Sequence, residues 1–192
     1  MTASQHVQAT VVSPWIVQHE ALLPFACPAP EQVPTPLPYL AGHKHATFSI
    51  ALTAHLQTPC TPGTPFCICR SNFADVYWTF EQMLAHHTLG GCNIRAGDIM
   101  ASGTISSPAP ADVAATAGDE RSRTHGCLLE ATANGQRPLQ LAPGVERRWL
   151  QDGDTVQLRA VARCGTARVG FGPCDMLLLP ARDEATCDLG TA

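Results

Sequence analysis

From Thr47 to Leu56 the chain alternates without a break. Phe48, Ile50, Leu52, Ala54 and Leu56 point one way, and Thr47, Ser49, Ala51, Thr53 and His55 the other. A period of two marks a half-buried β-strand with one face on a core and the other toward solvent, which suits an antiparallel sheet. A strand of this kind is stable only beside other strands, so the alternation commits the chain to a sheet. A second run, Val156–Arg163, repeats it, with Val156, Leu158, Ala160 and Ala162 alternating with Gln157, Arg159 and Arg163. His55 falls on the solvent side and reads as a surface strand residue rather than a ligand.

The segments between such runs are short and rich in turn formers. Thr58 to Pro65 is a Thr, Pro and Gly turn, and Asp152-Gly153-Asp154 leads into the second alternating run. Arg95-Ala96-Gly97-Asp98 leads into a short strand, Ile99–Ser102, continued by Gly103-Thr104. Asn134-Gly135, between Cys127–Ala133 and Leu139–Leu141, predicts a hairpin. One helix interrupts the pattern. Asn72 is its expected cap, with Asp75 in the first turn. Phe73, Val76, Tyr77, Phe80, Met83 and Leu84 recur at helical spacing, and Ala74, Trp78 and Ala85 form a second apolar row. Only Asp75, Thr79, Gln82 and His86 make a polar row, so most of the helix is expected to be buried. Gly90 is its expected left-handed stop, and His86 and His87 read as structural. The six prolines from Pro24 to Pro38 predict an extended surface arm. The resulting fold class is mainly β with one principal helix, a sandwich or roll.

Composition narrows what such a domain does. A length of 192 residues with 45% hydrophobic content suits one domain. A net charge of −4 with only 15% charged residues gives no electrostatic footprint for nucleic acid. No run reaches the roughly 20 apolar residues of a membrane span, and no basic-then-apolar leader opens the chain, so the cytoplasm is the expected compartment and no membrane partner is expected. The nine cysteines are expected to be reduced thiols. Cys60, Cys67 and Cys69, near His55, lack the paired spacing of a zinc site and read as buried or loop thiols. The stretch between Ser106 and Arg123 has neither period and is expected to be a mobile loop, with a frayed tail from Arg182.

Two features could carry chemistry. Glu130 shares a face with Leu128 and Thr132 on the expected strand Cys127–Ala133, and a carboxylate there must be paired or hydrogen-bonded. It is either a catalytic group or a structural partner of an arginine such as Arg95 or Arg168. Gly103-Thr104 could let a group approach the backbone beside a hydroxyl, or could simply be a bulge. No Ser-His-Asp or Cys-His arrangement and no phosphate loop is present, and these residues alone name no function.

A series of short blocks does point to a family. Ser13-Pro14-Trp15-Ile16-Val17, Pro36-Leu37-Pro38-Tyr39-Leu40, Ser71-Asn72-Phe73, Tyr77-Trp78-Thr79, Gln82 to Thr88, Gly91 to Arg95, Ala101 to Ser106, Leu129-Glu130, Asp152-Gly153-Asp154 and Arg168 to Gly172 follow one another in order. Together they resemble the fumarylacetoacetase family, from about Thr10 to Ala181. The resemblance implies a single partial C-terminal catalytic domain over 1–192, with a variable loop at 107–124 and a tail at 182–192. It implies a mixed β-sandwich roll, a homodimer, and hydrolysis of the β-diketo acid 4-fumarylacetoacetate to fumarate and acetoacetate at the end of phenylalanine and tyrosine breakdown. It also implies a divalent ion, Ca²⁺ or Mg²⁺, a base His and a Glu that orients it. Residue by residue, Glu130 falls on the His-orienting Glu. Thr104, with Gly103, falls on the substrate-binding Thr, and Thr10 on a Thr near the oxyanion site.

Departures accompany the match. His6 and Ala9 stand where the family has a Lys and a Gly. The loop between Thr104 and Glu130 is longer. The metal carboxylates, the base His and an SH3-like domain lie upstream of the Ser13-Pro14-Trp15 block in the family pattern. The chain by itself is therefore expected to hold no metal ligands and to be inactive. The alternative reading is a non-catalytic interaction or dimerisation module.

Overall fold

The structure, a computed structural model, describes residues 10–41, 46–108 and 123–181. His6, Ala9, most of the expected 107–124 loop and the 182–192 tail lie outside them. In chain order the strands are β1 (Ala26–Pro28), β2 (Ala46–Phe48), β3 (Ile50–Gln57), β4 (Phe66–Asn72), β5 (Leu139–Ala142), β6 (Val145–Arg147), β7 (Thr155–Cys164), β8 (Ala167–Gly170) and β9 (Cys174–Leu177). Helix α1 spans Phe80–Leu89, and α2 is a single turn, Leu128–Ala131. The domain is mainly β with one principal helix, as its alternation predicts.

The two alternating runs become the centre of a five-stranded antiparallel sheet ordered β4-β3-β7-β8, with β9 also pairing β7. Ile50 lies opposite Ala162 and Leu56 opposite Val156. The first run is cut at Ser49, whose N–H donates to the Phe25 carbonyl at 3.0 Å. β2 therefore leaves the main sheet to pair with β1. The proline-rich stretch is accordingly more than a surface arm. It begins in a 3-10 helix, His19–Phe25, whose Leu22 and Phe25 are buried, and contains β1. Pro24 fits there because a 3-10 turn tolerates its fixed φ, and the apolar neighbours hold the segment down.

Two core clusters close one face of the sheet at its two ends. Leu22, Phe25, Phe48, Ile50, Phe73 and Ala162 form one, and Leu56, Leu141 and Val156 the other. Each fully buried large aliphatic or aromatic side chain contributes about 1.5–3 kcal/mol. Beside the second cluster Asp154 is fully buried and accepts from Arg147 Nε at 2.9 Å, Arg147 Nη2 at 3.0 Å and the Gln151 N–H at 2.9 Å.

The helix departs from its expected bounds. Asn72 does cap, but it caps a single 3-10 turn, Phe73–Asp75. The α-helix starts only after Thr79, which forms a capping box with Gln82. Its burial is inverted. Gln82, on the polar row, is 5% exposed, whereas Trp78, Phe80 and Leu84 are exposed. Gln82 is buried because the proline-rich stretch crosses it: its side chain exchanges hydrogen bonds with Gln32 at 2.8 and 2.9 Å and donates to the Leu40 carbonyl at 3.1 Å. Gly91, with φ +84°, takes the left-handed position rather than Gly90, whose φ is −78°.

Two expected strands are absent. Ile99–Ser102 has no regular pairing, and Cys127–Ala133 turns into α2. Asn134-Gly135 continues a left-handed run from Ala133 that leaves α2, and the hairpin falls instead between β5 and β6. Thr132 explains the turn: its hydroxyl donates to the Leu128 carbonyl at 2.6 Å and accepts from the Gly135 N–H at 3.0 Å. These local bonds satisfy the backbone where no neighbouring strand is available.

Candidate active site

Between the two core clusters the middle of the sheet is uncovered. Leu52 and Ala54 of β3 and Leu158 and Ala160 of β7 floor a cavity of about 340 Å³. Its far wall is the segment Gly103-Thr104-Ile105. Gly103 has φ +79°, a conformation that favours glycine, but nothing lies within 4 Å of where a side chain would stand. The close backbone approach expected of it belongs to Gly126. A Cβ there would meet the Ile105 carbonyl oxygen at 2.4 Å and Thr104 Cγ2 at 2.8 Å. Only glycine at 126 lets the segment entering α2 lie against Thr104.

That contact lays the segment leading into α2, which carries Glu130, against the far wall. The Ser106 hydroxyl donates to Glu130 Oε2 at 2.5 Å and accepts from the Gly126 N–H at 2.9 Å. Ser107 N–H donates to the Thr124 carbonyl at 3.0 Å, so the two sides of the long loop are tied at its base. Glu130 is 43% exposed, not buried on a strand, and Arg95 and Arg168 are not among its partners. His125 Nδ1 stands 4.0 Å from Glu130 Oε2, an ionic approach that exceeds hydrogen-bond length. Thr10 is exposed and does not line the cavity, whereas Ser13 does.

The cavity also holds thiols. Burial pushes the Cys69 thiol up, with smaller opposing help from Ser71 and further raising by Cys67, Glu130 and Cys127. Cys69 is thus a protonated, apolar part of the wall. No disulfide occurs among the described residues. Ser106, Gly126 and His125 were not singled out from sequence. Ser106 had one available signal, since it stands two residues beyond Thr104 on an extended segment.

A larger cavity of about 610 Å³ lies between the proline-rich stretch and α1, lined by Leu37, Tyr39, Trp78, His86 and His87 among others. Tyr39 Oη lies 3.3 Å from His86 Nδ1 across it. The Gly103–Thr104 segment lines the smaller cavity and not this one, so the smaller cavity is the site candidate.

The described residues thus set a Gly–Thr segment over the open middle of an antiparallel sheet, with an anchored carboxylate on the segment packed beside it. A family model for the C-terminal part of fumarylacetoacetate hydrolase matches residues 1–174. The chain is 44% identical over 172 residues to the fumarylacetoacetase of Arabidopsis thaliana, covering 90% of this chain and 38% of that protein. It is 42% identical over 172 residues to that of Homo sapiens, with the same 90% and 38% coverage. With that of Dictyostelium discoideum it shares 37% over 174 residues, again 90% and 38%. The chain belongs to the fumarylacetoacetate hydrolase C-terminal family, and it spans about 38% of the length of these curated relatives. Their names give the interaction-module reading no support.

Ca²⁺ and Mg²⁺ take carboxylate, carbonyl and water oxygens. Among the described residues no group of three or more His, Cys, Asp or Glu could hold a metal, and no carboxylate lines the cavity. The described residues therefore do not fit the ion that the family implies.

Proposed function

We propose that this chain is the C-terminal portion of a fumarylacetoacetase-type hydrolase. Its reaction is the hydrolysis of 4-fumarylacetoacetate to fumarate and acetoacetate, in tyrosine and phenylalanine breakdown, within a cytoplasmic homodimer that uses Ca²⁺ or Mg²⁺. The observation that supports this reading is the Thr104–Gly126–Ser106–Glu130 connection, which ties an anchored carboxylate to the segment that lines the apolar cavity. In this scheme Thr104 holds a substrate carboxylate oxygen. Glu130 accepts an imidazole N–H from the base His that the family resemblance places upstream of Ser13, fixing the tautomer that takes a proton from water. Hydroxide adds to the fumaryl carbonyl, the adjacent carbon–carbon bond breaks, and the acetoacetate carbanion is protonated. Ser106 keeps Glu130 from swinging into solvent, and Thr10 is assigned to the oxyanion side.

A chimaera tests this. This chain would replace the matching 172 residues of the Arabidopsis thaliana relative. The expected result is loss of fumarylacetoacetate absorbance, reduced about 10²-fold or more in kcat by Glu130→Gln. A folded chimaera that binds substrate yet turns over no faster than its Glu130→Gln variant would overturn the assignment.

A further inference from the structure

The face of the sheet opposite the cavity is built differently. By alternation it carries Ala51, Thr53 and His55 of β3 and Gln157, Arg159, Val161 and Arg163 of β7. Arg163 pairs directly with Arg168 of β8, so both guanidinium groups project from this face at opposed positions. Like charges directly opposite across an antiparallel pair are destabilising. Asp175, a carboxylate on β9, is already engaged: both its oxygens accept from Arg159, the second at 3.1 Å. Among the described residues, no ion pair joins Arg163 or Arg168 to a carboxylate. In a chain of net charge −4, this is a local excess of positive charge that nothing in the described fold offsets.

Beside these groups lies a second depression, of about 410 Å³, lined by Thr53, Arg159, Arg168 and the backbone at Gly170 and Gly172. It shares Thr53, Arg159, Ala160 and Gly172 with the lining of the candidate active site. Guanidinium forks match the paired oxygens of phosphate and carboxylate. The Thr53 hydroxyl adds a donor, and the small residues Ala51, Gly170 and Gly172 leave room for the ligand. We infer that the face bearing Arg159, Arg163 and Arg168 binds a compact oxyanion of phosphate or dicarboxylate type, in the depression that adjoins the cavity lined by Thr104.

The test titrates the full chain with inorganic phosphate and, separately, with succinate, following the amide resonances of Gly170 and Gly172 and the heat of binding. The expected result is saturable binding of at least one probe, and the stronger of the two identifies the ligand type. Arg168→Ala should weaken it about tenfold or more, and Arg168→Lys by less, since charge is kept but the fork is lost. Asp175→Asn should tighten it by releasing Arg159. Because Arg168 is exposed and Asp175→Asn acts in the opposite direction, misfolding cannot mimic both results. No saturable binding of either probe, or affinities unchanged in Arg168→Ala and Asp175→Asn, would overturn the inference.

Discussion

At its two ends the five-stranded sheet is closed by packed side chains, Ile50 and Ala162 at one and Leu56 and Val156 at the other. Between them Leu52, Ala54, Leu158 and Ala160 face a cavity, and Leu158 remains 40% exposed. The same strands, in the same register, thus serve two purposes along their length. The ends hold the fold, and the middle is left open. The difference comes from what lies above the sheet, since β3 and β7 alternate in the same way throughout.

The comparison predicts that substitutions at the ends cost stability and those in the middle cost function. The largest loss should come from Asp154→Ala. Arg147, 10% exposed at its side chain, would lose its carboxylate, and breaking a buried pair from one side costs about 3–5 kcal/mol. Denaturant melts measure it, and a loss under about 1 kcal/mol, the range of an exposed pair, would remove this pair from the closed end. Leu56→Ala should follow at about 2–5 kcal/mol, read the same way, because the residue is fully buried. Gln82→Ala should cost about 1–3 kcal/mol, as the Thr79 N–H and the Leu40 carbonyl lose their partner. A neutral result there would mean that the proline-rich stretch is held by its apolar contacts alone.

The middle should behave oppositely. Thr104→Val, at an exposed position, should shift stability by less than about 0.5 kcal/mol, while raising KM for fumarylacetoacetate in the chimaera. A melt lowered as far as by Leu56→Ala would erase the distinction between end and middle. The smallest effect should be a pH dependence from Asp175, whose carboxyl is held below its ordinary range first by its hydrogen bond from Arg159. Its folded value lies below its unfolded one, so the contribution is present above the ordinary carboxylate range near pH 4 and is lost as pH falls through the depressed value. The pair is exposed, so it amounts to at most about 1 kcal/mol. Acid melts of Asp175→Asn should show that small pH-dependent increment missing.

Local pattern made some of this architecture legible and hid the rest. The alternation of Thr47–Leu56 and Val156–Arg163 gave both central strands, because period two survives wherever one face is buried. The Thr79-x-x-Gln82 capping box was also present as a signature, but Asn72 offered an earlier cap and the apolar spacing ran continuously past it. Glu130 was identified as a residue needing a partner, yet its partner, Ser106, is 24 residues away across a loop with no period. Its strand was misread because Thr132 closes a helical turn through hydrogen bonds that no hydrophobic period reports.

What the sequence determined by itself was the sheet, its two central strands and the family blocks that run through it, since these rest on residue spacing and identity along the chain. Tertiary structure alone decided which part of that sheet stays open, that Gln82 is buried while Trp78 is not, and that Gly126 rather than Gly103 makes the close approach at the site. Each of these depends on a segment distant in sequence crossing overhead, and neither propensity nor period encodes where such a segment comes to rest.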